Sequence, residues 1–217
     1  MNIKAIFLDF GGVLVTWIDR VTVLEGMAGT HGGNPKRLHE FLVGSCNYSV
    51  KHQNLPLLER ADCGLIRARE FHEVICREGE FSASFKEFCV EYNANVRPIP
   101  HMVSLAQKLA NRLNLVGVTN TDEICSVYKL QDILAPIRFN GIVRSWQVGF
   151  RKPDTRIWKT ACGIARVFPQ EAVFVDDVSD YVDAWRKFGG LGICFDATKQ
   201  DIRLLVESLR MVNVRID

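Results

Sequence analysis

Nowhere does the chain approach the ~20 consecutive apolar residues that a bilayer-spanning helix needs, so no membrane segment is expected. The N-terminal apolar run does not read as a signal peptide either, because Asp9 interrupts it and no small-residue cleavage site follows. There is no basic stripe and no long block of like charge. The formal net charge is +2 with both signs scattered, which argues against a nucleic-acid partner. No C-x-x-C pair occurs among the seven cysteines, Cys46, Cys63, Cys76, Cys89, Cys125, Cys162 and Cys194. Their odd number and wide spacing disfavour a zinc site or a disulfide framework. They are expected to be reduced thiols of a cytoplasmic protein, most of them small core residues. The five histidines show no H-x-x-x-H spacing, and no G-x-G-x-x-G follows the first apolar run, which removes the dinucleotide fingerprint. Repeats and low-complexity segments are absent as well.

What is present is a core-forming composition, 47% apolar over 217 residues, enough for one large domain or a domain carrying an insertion. Continuous apolar runs at Ile3–Leu8, Leu113–Val118, Ala172–Val175 and Leu191–Phe195 read as strands buried on both faces, with a short fifth strand at Gly141–Val143. Helical patterns alternate with them, at Met102–Arg112, Asp122–Leu134, Asp154–Val167, Tyr181–Phe188 and Gln200–Leu209. This alternation predicts an α/β fold, a doubly wound parallel sheet covered by helices. From Thr16 to Asn93 the rhythm is different: helical stretches at Lys36–Leu42, Arg67–Arg77 and Phe81–Tyr92, and no convincing strand. Phe81, Phe85, Phe88 and Tyr92 recur at helical spacing and read as a bundle core. The predicted organisation is a core domain of residues 1–15 and 94–217 interrupted by a small α-helical cap, residues 16–93.

The stretch AIFLDFGGVLV, Ala5–Val15, places a carboxylate, Asp9, at the end of a buried strand, with Gly11 and Gly12 behind it. In open parallel sheets, ligands bind beyond the carboxyl ends of the strands. Other strand runs end there in Thr119 with Asn120, and in Asp176 with Asp177; Lys152 precedes a helix start that Asp154 can cap. Taken singly, Asp9 can cap a turn, Thr119 can cap a helix and Lys152 can be a solvated loop residue. Jointly, carboxylates gathered on one sheet edge repel one another unless a cation or proton offsets them. Mg²⁺ suits such an all-oxygen site, and a hydroxyl, amides and a lysine beside it suit a phosphate dianion.

The order of these pieces resembles the haloacid dehalogenase (HAD) superfamily. LDFGG resembles its first motif, VGVTN the second, RKP the third and FVDD the fourth, while ERADCGLI (Glu59–Ile66) is similar to the E-x-G-x-I stretch of caps inserted after the first motif. The resemblance covers essentially the whole chain, which also resembles the sugar-phosphate phosphatase branch. It implies a Rossmann-like core and a phosphatase acting on a small phosphorylated metabolite. Catalysis would rest on Asp9 as nucleophile with Thr119 and Lys152. Gly12, Thr119, Asn120 and Lys152, with the Thr121 amide, would bind the phosphoryl group. Mg²⁺ would be held by Asp9, the Gly11 carbonyl, Asp176 and Asp177.

Two positions depart from that pattern. The family's phosphatases usually carry a general-acid Asp where Gly11 stands. Such help is typically worth about 10²–10⁴-fold, most for poor leaving groups. A sugar-1-phosphate needs it less, and a subgroup of sugar-1-phosphate phosphatases resembles this chain in having glycine there; alternatively Asp19 or His52 supplies the proton. Tyr181 stands where relatives have Asn or Asp, with Asp180 as a nearby substitute. These departures keep open a second class of reading, a catalytically impaired scaffold or binding protein on the same fold. A metal-free 2-haloacid dehalogenase is disfavoured by the Asp176–Asp177 pair. Substrate identity and oligomeric state are not legible.

Overall fold

A computed structural model describes residues 2–44 and 55–216. Five strands form one parallel sheet: β1 (Ala5–Leu8), β2 (Asn114–Thr119), β3 (Gly141–Arg144), β4 (Ala172–Asp176) and β5 (Leu191–Cys194), in the order β3-β2-β1-β4-β5. The β-branched and aromatic side chains of β1 and β4 are buried throughout, because helices cover both faces of the sheet. Alternation divides them. Phe7, Val116, Val118 and Phe174 face one layer, while Ile6, Leu8, Leu115, Val173 and Val175 face the other.

The first layer contains α10 (Thr155–Ala165) and α11 (Ser179–Phe188), whose Trp158 and Trp185 are fully buried and meet at 6.0 Å between ring centroids. The opposite layer contains α6 (Pro100–Ala110) and α12 (Ile202–Met211), contributing Met102, Leu105, Leu109, Leu205 and Leu209. β5 departs from the expectation of a strand buried on both faces, and the short β3 resembles it. Each is an edge strand with one neighbour, most of their side chains are only half-buried, and Cys194 is exposed.

Among the described residues, five helices lie between β1 and α6: α1 (Arg20–Thr30), α2 (Pro35–Gly44), α3 (Leu57–Asp62), α4 (Ala68–Glu78) and α5 (Phe85–Tyr92). Two of these, α1 and α3, are not foreshadowed by strong periodicity. Asp19 caps α1 by accepting from the Thr22 amide, and a capping box of Ser84 and Glu87 starts α5. The aromatic stripe is a core: Phe88 and Tyr92 stack with Phe71 edge-on to both, and Phe81 is buried, while Phe85 stays half-exposed. The chain leaves and re-enters the sheet region along paired segments. The Thr16 amide donates to Arg97 O at 2.8 Å and the Ile99 amide to Leu14 O at 2.9 Å.

After β2, the expected helix Asp122–Leu134 is divided into α7 (Glu123–Cys125), a π-helical turn (Ser126–Leu130) and α8 (Gln131–Leu134); α9 (Ser145–Val148) follows β3. The six described cysteines are free. No helix among the described residues is long and apolar enough to cross a membrane.

Candidate active site

The position of β1 brings the site together. It is the central strand and pairs Leu8 with both Gly117 and Val175, so Asp9 emerges between the ends of β2 and β4, its amide donating to Val175 O at 2.9 Å. One oxygen each from Asp9, Asp176 and Asp177 lie within 4.8 Å of one another. Lys152 Nζ is 2.8 Å from Asp9 Oδ1 and 2.6 Å from Asp176 Oδ2, and its side chain is only 1% exposed. Three carboxylates against one ammonium leave excess negative charge. Burial, opposed by Lys152 and reinforced by Asp176 and Asp177, pushes the Asp9 carboxyl up to about 7. Burial and Asp176 together push Asp177 up to about 6. Burial disfavours the Lys152 ammonium, yet Asp176 and Asp9 hold it above the ordinary lysine range.

This donor set fits a hard divalent cation: all-oxygen, acidic and closely spaced, with its excess negative charge offset by only one lysine. The backbone supports the same conclusion at Gly12. Its φ is +68°, and a Cβ there would collide with the Asp177 carboxylate, so glycine alone lets the first-strand loop approach that acid. Asp176 is the most enclosed of the three: Oδ2 takes Lys152, and Oδ1 accepts from the Val178 amide at 2.9 Å.

A cavity of about 180 Å³ opens above Asp9, and Gly11, Thr119, Asn120, Thr121, Lys152 and Asp177 contribute to its lining. Not every residue expected there serves it in the expected way. Gly12 lies behind the wall, its amide donating to Val15 O and its carbonyl accepting from Ala197, so its part is steric. The Thr121 amide donates to Ser145 Oγ at 2.9 Å and is thereby engaged within the fold. The Asn120 side chain clamps Lys152, accepting from its backbone amide at 2.8 Å and donating to its carbonyl at 3.0 Å. Tyr181 completes that clamp. Its ring centroid is 5.2 Å from Lys152 Nζ, and its hydroxyl lies 3.4 Å from the Asn120 amide nitrogen, whereas Asp180 is exposed. Of the two alternative proton donors, Asp19 is taken up as the α1 cap, and His52 lies outside the described residues.

The far wall was not foreseen. Arg20 donates to both oxygens of Asp62, each at 2.8 Å, and to Asp122 at 3.3 Å; Tyr92 Oη donates to Asp122 at 2.8 Å. Arg151 pairs with Glu59 at 2.8 Å. Trp17, 42% exposed, adds an indole to the same cavity. In the sequence these are scattered charges and two aromatics. Only Glu59 and Asp62 within ERADCGLI, and Arg151 within RKP, fall inside recognisable motifs.

Neither protein-family profiles nor curated protein sequences match the chain. Solved structures do. A HAD family enzyme from Bacteroides thetaiotaomicron superposes with a TM-score of 0.75 at 19% identity, over 94% of this chain and 99% of that one. A structure of that wild-type enzyme in complex with magnesium and inorganic phosphate gives 0.73 at 19% identity, with the same coverage. A predicted HAD-like family hydrolase from Porphyromonas gingivalis gives 0.73 at 16% identity over 97% and 99% of the two chains. A 2-haloacid dehalogenase from Pseudomonas syringae gives 0.64 at 20% identity over 92% and 89%. With its five-stranded parallel sheet, helical layers and acids at the strand ends, the chain has the haloacid dehalogenase fold.

Proposed function

We propose that the protein is a Mg²⁺-dependent phosphoric monoester hydrolase acting on a small phosphorylated metabolite. The observation that carries this reading is the convergence of Asp9, Asp176 and Asp177 within 4.8 Å, with Lys152 Nζ 2.8 Å from Asp9. The magnesium and phosphate bound by the Bacteroides enzyme of the same fold support it. Asp9, Asp177 and the Gly11 carbonyl would hold the cation, with Asp176 directly or through water. When bound, Mg²⁺ supplies charge neutralisation between the carboxylates and the phosphoryl oxygens.

The chain's own residues do the rest. An Asp9 carboxylate oxygen forms a bond to phosphorus as the bond from phosphorus to the leaving oxygen breaks. The leaving oxygen departs as an anion and takes a proton from water. A water molecule then attacks the aspartyl-phosphate at phosphorus, releasing inorganic phosphate and restoring Asp9. Lys152 neutralises charge on the transferred group and holds Asp9 in line, and the Thr119 hydroxyl serves a phosphoryl oxygen. The helical segment 16–93 acts as a cap, since its Trp17, Arg20 and Asp62 line the cavity over Asp9.

Asp9→Asn is expected to abolish phosphate release from 4-nitrophenyl phosphate in Mg²⁺ while leaving the melting transition cooperative. Turnover unchanged in that variant refutes the role of Asp9. Halide release from a 2-haloacid that is insensitive to EDTA would instead favour the dehalogenase reading. Failure of the wild type to bind Mg²⁺ with beryllofluoride would favour the scaffold.

A further inference from the structure

Gly11 has no conformational need to be glycine. Its φ lies outside the left-handed region, and a Cβ there would sit at ordinary contact distance, 3.6–3.8 Å, from Trp17 Cγ, Cβ and Cδ2. The space that a longer side chain at position 11 would enter is therefore taken by the Trp17 side chain. Trp17 remains 42% exposed at the cavity, whereas Trp158 and Trp185 are fully buried. It is also held in place: the Arg20 guanidinium lies 5.8 Å from its ring centroid, and Arg20 is itself fixed by both oxygens of Asp62.

We propose that Trp17 is a specificity-determining residue: its indole is the surface on which the leaving group packs, selecting phosphorylated compounds in which a ring is bonded to phosphorus through its own oxygen, aryl or anomeric phosphates. This rests on the phosphatase reading. Two features of the cavity support it independently. An indole offers a large apolar face at little entropic cost, matching a flat or CH-rich ring and wasted on a short charged chain. Among the described lining residues outside the acid cluster, the one other carboxyl and the one thiol are not ready proton donors. Asp62 is engaged by Arg20, and burial with Asp122 nearby pushes the Cys125 thiol far above its ordinary range. A leaving oxygen that must depart as an anion favours aryl and anomeric phosphates over alkyl ones.

The test is calorimetric titration of phenylphosphonate, methylphosphonate and inorganic phosphate, each with Mg²⁺, into the wild type, Trp17→Ala and Trp17→Phe. The wild type is expected to bind the phenyl compound about three- to tenfold more tightly than the methyl compound, the range expected of an aromatic contact. Trp17→Ala should remove that preference while leaving methylphosphonate and phosphate affinity unchanged, and Trp17→Phe should keep most of it. A preference that survives Trp17→Ala, or a loss shared equally by all three anions, overturns the proposal. A wild type that binds all three alike overturns it and leaves the phosphatase reading standing; one that binds none overturns both. Faster phosphate release from phenyl phosphate or from a hexose 1-phosphate than from glycerol 3-phosphate distinguishes the aromatic from the sugar ring, and an advantage for neither ring overturns the proposal.

Discussion

Lys152→Met removes the one cation from a cluster of three carboxylates. Lys152 is 1% exposed and contacts Asp9 at 2.8 Å and Asp176 at 2.6 Å. The formal charge of the ionised cluster falls from −2 to −3, and water cannot solvate Asp176, whose side chain is fully buried. Breaking a buried ion pair by deleting one partner typically costs about 3–5 kcal/mol. On a domain of this size that corresponds to a drop in Tm of about 6–20 °C. The loss should be measured in EDTA by urea unfolding, with fluorescence from the buried Trp158 and Trp185 as the reporter. The informative control is Lys152→Met with Asp176→Asn. The amide can still accept from the Val178 N–H through its oxygen, so the double variant should recover a good part of the loss. A loss below about 1 kcal/mol in the single variant, or no recovery in the double, would show that the cluster is solvated or already protonated, and the charge argument would fail.

Other outcomes follow from the same geometry. In EDTA, stability should decline between pH 5.5 and 8: the unfolded carboxyls titrate near 3.8 and are ionised throughout, whereas folded Asp9 and Asp177, raised to about 7 and about 6, lose protons in that interval. The raised values make their contribution greatest at low pH, so melting scans in Mg²⁺ should show the largest gain over EDTA at pH 8; a gain independent of pH would contradict this. Gly12→Ala should cost about 1–2 kcal/mol for its left-handed φ and should weaken Mg²⁺ binding in calorimetry by displacing Asp177; unaltered Mg²⁺ affinity would refute the close approach. Asp62→Ala strands largely buried Arg20 with only Asp122 at 3.3 Å and should cost about 3 kcal/mol in urea unfolding; a change within about 0.5 kcal/mol, the scatter of surface substitutions, would mean Arg20 finds solvent.

The alternation of apolar runs and helical periods was enough to determine the sheet and its flanking layers, because strands buried on both faces cannot be written with polar residues. The same logic placed Asp9, Thr119 and the Asp176–Asp177 pair together at the strand ends, whereas Lys152, in a loop before a helix start, was singled out through the RKP resemblance. Three things were decided only in three dimensions. Strand order made β3 and β5 edges, which no local pattern announces. Hydrogen bonding withdrew the amides of Gly12 and Thr121 from the cavity, the first to the Val15 carbonyl and the second to the Ser145 hydroxyl, and side-chain contacts turned Asn120 and Tyr181 into a clamp on Lys152. The Trp17, Arg20, Asp62 and Asp122 wall draws on distant segments, Arg20 and Asp122 alone lying 102 residues apart. Side chains that far apart carry no shared period and no fixed spacing, so only the packing of the helical segment against the sheet could assemble them.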